Sequence, residues 1–303
     1  MGIAGGIDLG GTKIEAQVFD DDWRILDKRR VNTPSNYPEL VAAIVDQVLW
    51  LRNENPGMPV GIATAGLINP TDGTAIAANL ASNGKPFPSD VGKALETKVT
   101  WLNDCRAFSL AEAVFGAGSK QGVTLGLVLG TGIGGAVTID GRLINDGKGQ
   151  SGEFGHMPLP AWLVTKHNLP LVTCGCGRTG CYETLGSGTG AARLARHMTG
   201  REIDAKEIAK NHETSAEIAK IWEVWTEVNA AMIQELAFVV EPQTVVLGGG
   251  VSLAPGLVEA LHAHLEQMAW PGFRPPTFRH GTRGETAAAL GAGFAAWQEN
   301  SDD

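Results

Sequence analysis

A chain of 303 residues, 43% hydrophobic and 19% charged, has the composition of a soluble globular protein and the length for one large domain or two ordinary ones. Its net charge of -9 leaves no basic face for a nucleic-acid backbone, no apolar run of about 18 residues offers a membrane span, and residues 1–6 lack a secretory pattern. These exclusions point to a reducing, cytoplasmic setting, where the 4 cysteines are metal ligands or free thiols rather than disulfides.

In chain order, residues 3–8 predict a strand ending in glycines and residues 14–19 a second strand. After the Asp20-Asp21-Asp22 turn, residues 23–31 predict a third, completing an antiparallel meander. Residues 38–51 predict a helix with Leu40, Val41, Ile44, Val48 and Leu51 on one face and Pro38 in its first turn. Val60–Thr64 is a buried strand, residues 99–102 another, and a helix over about residues 106–115 follows at once. The pattern then restarts, with strands over 125–129, 135–139 and 142–144. A long helix over 215–240 carries Ile218, Ile221, Trp222, Trp225, Val228, Met232 and Leu236 in a core-facing stripe. A strand over 244–247 ends in three glycines, and an alanine-rich helix over 285–297 closes the pattern. Two similar α/β halves predict a cleft suited to a small molecule.

Three strands run into glycine knots: Asp8-Leu9-Gly10-Gly11-Thr12-Lys13, Gly130-Thr131-Gly132-Ile133-Gly134-Gly135 and Gly248-Gly249-Gly250. Glycines let backbone N–H groups face phosphate oxygens with no side chain in the way. One such knot reads equally well as a tight hairpin; three, each after an apolar strand, favour a phosphate ligand. No Walker loop is present. Gly130-x-Gly132-x-x-Gly135 matches the dinucleotide fingerprint in letters, but residues 136–139 read as a strand where that fingerprint needs a helix.

The first knot resembles the first phosphate motif of the actin, hexokinase and Hsp70 ATPase superfamily, and the second knot resembles its second. The resemblance implies an α/β fold of two ribonuclease-H-like domains with a cleft between them, closing over ATP and Mg²⁺. By it, Asp8 lies near the metal, Thr12, Lys13, Thr131 and Gly132 near the phosphates, and Gly249 near the nucleotide. Gly10, Gly11, Gly130, Gly134, Gly135 and Gly248 complete the cofactor-binding set. The expected division is 1–107 for the first domain, with a closing helix over 286–303 packing back on it, and 108–285 for the second.

Cys174-x-Cys176-x4-Cys181, with glycines in the gaps, is the sharpest local signal. Thiolates so spaced suit Zn²⁺, and His156 in Gly152-Glu153-Phe154-Gly155-His156 is the natural fourth ligand; the bland alternative is a glycine loop with incidental cysteines. Cys105 reads as a small buried apolar residue. Residues 153–156 and 174–183 resemble the signature of the ROK family. In that family the cysteines and the histidine hold a structural zinc, a closed site that does no chemistry itself.

Asn103-Asp104 ends a strand and begins a helix. On local sequence Asp104 is foremost an N-cap. The ROK resemblance makes it the general base of phosphoryl transfer, a reaction that otherwise needs positioning and charge neutralisation. The same resemblance assigns Gly66, Asn79, Asn103, Asp104, Glu153, His156 and Glu183 to the sugar, with Ala65 standing where the family usually has proline. Residues 78–79 with 82–86, 152–160 and 169–171 are most similar to ROK N-acetylglucosamine kinases. That similarity implies transfer from ATP to the sugar 6-hydroxyl, and ROK kinases imply a homodimer. A ROK glucokinase, fructokinase or N-acetylmannosamine kinase is the alternative, and a non-catalytic sugar sensor a more distant one, since no DNA-binding segment precedes Asp8.

Overall fold

A computed structural model describes residues 2–118 and 120–302; Met1, Ser119 and Asp303, which fall within the expected domain ranges, lie outside the described residues. Packing divides the chain into two units, one drawn from Met1–Gly116, Gly141–Ser151 and Thr282–Asp303, the other from Ala117–Asp140 and Gly152–Gly281. The sequence expectation gave residues 108–116, 141–151 and 282–285 to the second half. Here they pack with the first, because the helix that begins at Asp104 runs on to Phe115. Its buried Arg106 also donates to the carbonyls of Gly147 (2.6 Å) and Gly149 (2.8 Å).

The first unit opens with β1 (Ala4–Leu9), β2 (Lys13–Phe19), β3 (Ile25–Asn32), α1 (Tyr37–Leu51), β4 (Val60–Thr64) and the short β5 (Leu67–Ile68) and β6 (Ala75–Ile76). It continues with α2 (Phe87–Leu95), β7 (Thr100–Asn103) and α3 (Asp104–Phe115). The second unit begins with β8 (Val123–Leu129) and β9 (Ile133–Ile139), and the first takes back β10 (Arg142–Leu143). The second then resumes through α4 (Ala161–His167), α5 (Glu183–Gly186), α6 (Gly188–Thr199), α7 (Ala205–Asn211), α8 (Ala216–Val240), β11 (Thr244–Gly248), α9 (Leu257–Gln267) and β12 (Thr277–His280). The closing α10 (Ala287–Asp302) returns to the first.

The two sheets repeat one plan. In the first unit the order is β3-β2-β1-β4-β7, with β1, β2 and β3 antiparallel and β4 and β7 parallel to β1. In the second, β9 pairs antiparallel with β8, while β11 and β12 add parallel on its other side. A hairpin that continues into parallel strands is the ribonuclease-H-like core. The pattern of side chains explains the placement. Val60–Thr64 is buried at all five positions, as a central parallel strand must be, whereas β3 exposes most of its residues at the sheet edge. Asn36 caps α1 by accepting from the Glu39 N–H (3.0 Å), and Leu40, Ile44, Val48 and Leu51 turn inward onto the sheet. The seven-residue stripe of α8 is buried as expected, with Ser215 as its cap.

On the other face of the first sheet, α10 lies directly on the backbone. A Cβ at Gly6 would fall 1.9 Å from the Ala289 carbonyl oxygen, and one at Gly61 1.9 Å from that of Ala292. From the helix side, a Cβ at Gly291 would meet the Ala107 carbonyl of α3 at 1.9 Å. No side chain fits at these places. Gly61→Ala is expected to lower stability by about 3 kcal/mol through overpacking against rigid backbone. Gly57→Ala, where the nearest neighbour of an added methyl is 3.8 Å away, is expected to be nearly neutral. Thermal denaturation of the two variants measures the difference.

Candidate functional site

In the first unit the site grows from the ends of β1, β4 and β7. Past Asp8, the chain reverses with Gly10 N–H donating to the Lys13 carbonyl (3.0 Å), and Thr33 locks the turn through its hydroxyl to the Gly10 carbonyl (2.7 Å). Thr12 is exposed. The Lys13 ammonium meets the Glu285 carboxylate at 2.9 Å. Gly11 faces Asn79, whose carbonyl oxygen would stand 3.6 Å from an added Cβ. After β4 the chain turns at Gly66, in the left-handed region at φ +97° and pressed so closely on the Ile76 carbonyl that a Cβ would lie 2.1 Å from it. Gly66 in turn accepts from the Asn103 side-chain amide (2.9 Å). Asp8, Gly10, Gly11, Gly66, Asn79, Asn103 and Asp104 therefore belong to one linked set of turns.

Asn103, not Asp104, caps α3. Its Oδ1 accepts from the Cys105 N–H (3.0 Å) and the Arg106 N–H (3.3 Å). Asp104 is the first helical residue, and its Oδ1 accepts from the Cys105 N–H at 2.8 Å. The capping role that local sequence suggests for Asp104 falls to its neighbour. Burial holds the Asp104 carboxyl above the ordinary aspartate range, against the lowering effect of the Cys105 N–H. Asp8 is pushed up to about 6, first by burial and then by the charge of Asp104. Two carboxylates in mutual electrostatic reach are a place where a cation or a transferable proton lowers the energy.

In the second unit the knot after β8 is held from several sides. Gly130 N–H donates to the Gly132 carbonyl (3.0 Å), and Ile133 N–H donates to the Glu183 carboxylate (2.9 Å). Gly134 and Gly248 both pair with Val128, one on each side of β8. Gly249, at φ +83°, lies so close that a Cβ would be 2.3 Å from the Leu129 carbonyl oxygen. A Cβ at Gly135 would be 2.1 Å from that of Gly126. The second and third knots thus meet at the end of β8, and β9 continues as the strand that ruled out the dinucleotide fingerprint. The sequence reading missed a third participant, the start of α6. Gly188 N–H donates to the Gly130 carbonyl (2.8 Å), and Thr189 Oγ1 donates to the Thr131 carbonyl (2.9 Å). Ser187, which caps α6, is the sequence signal that marks this helix start.

The cysteines and His156 converge in the same unit. The Cys174 N–H donates to the Arg178 carbonyl (2.7 Å), closing a tight loop through Gly177 at φ +87°. The Leu159 N–H donates to the Gly180 carbonyl (2.7 Å) and brings the His156 segment alongside. His156 Nδ1 lies 3.5 Å from Cys174 Sγ, Cys176 Sγ lies 3.7 Å from Cys181 Sγ, and all four ligand atoms fall within 4.8 Å of one another. Tetrahedral bonds of about 2.0–2.3 Å require ligand separations of about 3.5–3.8 Å, so the donor set fits one metal ion. The Arg178 backbone N–H draws the exposed Cys176 thiol down to about 6, favouring thiolate, while burial pushes Cys181 up to about 12. The other ring nitrogen of His156, Nε2, stands 3.8 Å from a Glu153 carboxylate oxygen. Glu183 joins this cluster to the knot, with one oxygen on the Ile133 N–H and the other 3.8 Å from Cys174 Sγ.

Comparison with known proteins agrees with this arrangement. The ROK family profile matches residues 4–299. The chain is 35% identical over 300 residues to the N-acetylgalactosamine kinase AgaK of Shewanella sp. (strain ANA-3), covering 96% of this chain and 97% of that protein. It is 35% identical over 295 residues to an N-acetyl-D-glucosamine kinase of Escherichia coli O6:H1, covering 95% and 97%. Among solved structures, a ROK hexokinase from Thermus thermophilus superposes with a TM-score of 0.86 at 31% identity, with 99% of each chain covered. A ROK family glucokinase from Streptomyces griseus, in complex with glucose and AMPPNP, gives 0.73 at 26% identity over 98% of this chain and 100% of that one. With the family profile spanning residues 4–299 and relatives 35% identical over almost the whole chain, the chain belongs to the ROK family.

Proposed function

We propose that this protein is a sugar kinase that transfers the terminal phosphoryl group of ATP to the 6-hydroxyl of N-acetyl-D-glucosamine. The observation that carries the reading is the division of labour at the start of α3. Asn103 caps the helix N-terminus, and that frees the half-buried Asp104 carboxylate from the capping role. Asp104 takes the proton of the sugar hydroxyl as that oxygen attacks the γ-phosphorus. On this reading Asp8, Gly10, Gly11, Thr12 and Lys13 serve the phosphates, residues 130–135 with Gly248 and Gly249 the nucleotide, and Gly66, Asn79, Asn103, Glu153, His156 and Glu183 the sugar. Mg²⁺, when bound near Asp8, neutralises charge on the phosphates.

Burial raises the affinity of Asp104 for its proton above that of an ordinary aspartate, the direction that suits a general base. Asp104→Asn keeps the shape and removes the base, so kcat is expected to fall at least about a hundredfold while sugar affinity changes little. In the wild type, the acid limb of kcat/KM is expected above the ordinary aspartate value of 3.8. Near wild-type turnover in Asp104→Asn would remove the base from Asp104.

His156, Cys174, Cys176 and Cys181 hold a structural Zn²⁺ on this reading, supported by their convergence within 4.8 Å. With no open coordination position the ion does no chemistry; it fixes the loops that carry Glu153 and Glu183. About one zinc per chain is expected by elemental analysis. Cys176→Ser is expected to lose both metal and thermal stability, because metal binding and local ordering are one process. Freshly purified active protein without zinc would contradict the assignment. The reading also includes a homodimer in the cytoplasm, as carried over from ROK kinases, and gel filtration with light scattering tests the dimer.

The N-acetyl preference rests on the relatives named as N-acetylhexosamine kinases and on residues 79–87. That segment is tied back to β6 by Gly84 N–H to the Ala75 carbonyl (2.8 Å) and by Ala77 N–H to Asn83 Oδ1 (3.1 Å). An acetamido group offers one donor and one acceptor, and a pocket built for it leaves those partners unpaired with glucose. A disadvantage of about tenfold or more in kcat/KM is expected for glucose. The Shewanella relative supports a second reading, in which the C4 epimer N-acetylgalactosamine is the better substrate. Coupled ADP-release assays across N-acetylglucosamine, N-acetylgalactosamine, N-acetylmannosamine and glucose rank the candidates. Glucose above every N-acetylhexosamine would overturn both.

A further inference from the structure

We propose that Thr189 is a positioning residue for the nucleotide, acting through the orientation of the phosphate-facing peptide groups of residues 130–132. The inference rests on the nucleotide reading of the second unit. A trans peptide is planar, and its C=O and N–H point in opposite directions. Whatever holds the Thr131 carbonyl therefore also aims the Gly132 N–H, and whatever holds the Gly130 carbonyl aims the Thr131 N–H. Both carbonyls are held by the first turn of α6, Gly130 by the Gly188 N–H at 2.8 Å and Thr131 by the Thr189 hydroxyl at 2.9 Å. The two N–H groups consequently face away from α6. In a segment with glycine at 130 and 132, such peptides would otherwise rotate at little energetic cost.

The hydroxyl protons can be assigned. Ser187 Oγ donates to the Glu183 carbonyl (2.7 Å) and accepts from the Gly190 N–H (3.0 Å). Thr189 Oγ1 has one proton and two neighbours, Ser187 Oγ at 3.0 Å and the Thr131 carbonyl at 2.9 Å. With the serine oxygen already serving as an acceptor, the carbonyl is the better destination. Gly188 makes the approach possible, since a Cβ there would lie 2.9 Å from both the Gly130 carbonyl oxygen and Val251 Cγ2. Behind the cap, Trp225 Nε1 donates to the Ser187 carbonyl (3.3 Å), so the start of α6 is anchored to the buried stripe of α8. Thr189 itself is exposed, and its side chain can be changed without opening the core.

The bound state gains because the N–H groups are oriented before the phosphates arrive. Thr189→Val keeps the branched shape and deletes the donor, Thr189→Ala deletes the donor with less strain on the helix, and Thr189→Ser keeps it. The test is calorimetric titration of each full-length variant with MgADP, alongside KM for ATP and for the sugar. Thr189→Val and Thr189→Ala are expected to weaken MgADP binding and raise KM for ATP by about three- to tenfold, the worth of one hydrogen bond. KM for the sugar and the melting temperature should stay at wild-type values, and Thr189→Ser should restore nucleotide binding. MgADP affinity unchanged in both donor-deleted variants overturns the proposal, as does an equal loss for nucleotide and sugar. Failure of the wild type to bind MgADP would instead overturn the nucleotide reading on which the proposal stands.

Discussion

The first unit depends on a backbone-to-backbone seat that only glycine permits. Gly6 in β1, Gly61 in β4 and Gly291 in α10 each bring a neighbouring carbonyl to where a Cβ would be, at 1.9 Å in all three cases. Helices and sheets usually meet through interdigitated side chains, which give by a few tenths of an ångström when perturbed. At these three glycines α10 meets its neighbours without that cushion. The three elements it grips are β1, which carries Asp8, β4, which leads into the Thr64–Gly66 turn, and α3, which begins at Asp104. The Gly10–Lys13 turn, the Gly66 turn and the proposed base therefore share one rigid foundation. The buried Glu112 of α3 reinforces it by accepting from the Arg283 N–H (2.6 Å) just before α10 begins.

The second unit uses a different economy, in which single polar groups serve two loops. Glu183 holds the Ile133 N–H with one carboxylate oxygen and stands beside Cys174 with the other. Its main-chain carbonyl accepts from Ser187, whose oxygen caps α6. A change at the cysteine loop thus reaches the glycine knot through one residue. Hydrogen bonds that share members in this way lose more than their pairwise worth when one is removed. On the proposed assignment, a structural metal at the cysteines would bear on the geometry of the glycine knot.

Much of this was legible from residue order. The strands and their glycine knots stand out because period-two apolar runs end abruptly in residues with no side chain, as at Asp8-Leu9-Gly10-Gly11. The long α8 is marked by its stripe and by Ser215, and Cys174-x-Cys176-x4-Cys181 with His156 predicted a convergence that the fold contains. The start of α6 was hidden because Gly188-Thr189-Gly190 has poor helix propensity, and only the Ser187 cap betrays it. Asn103 carries an assignment to the sugar, but its Oδ1 is engaged by two backbone N–H groups, a use that depends on where the helix begins rather than on the letters Asn-Asp. The glycines under α10 had no local signature at all, since the atoms that exclude a Cβ at Gly6 and Gly61 come from Ala289 and Ala292, at the far end of the sequence.

The placement of α10 also bears on how a newly made chain matures. Translation delivers β1, β4 and α3 first, then every segment of the second unit, and only afterwards the helix that seats on Gly6 and Gly61. Until then the first unit lacks the helix that its sheet glycines receive, while the second already has the strands and helices described for it. Domains made early usually finish early during synthesis. In this chain the unit that starts first is the one that must wait, and Asp8 and Asp104 gain their final support only when α10 has emerged from the ribosome.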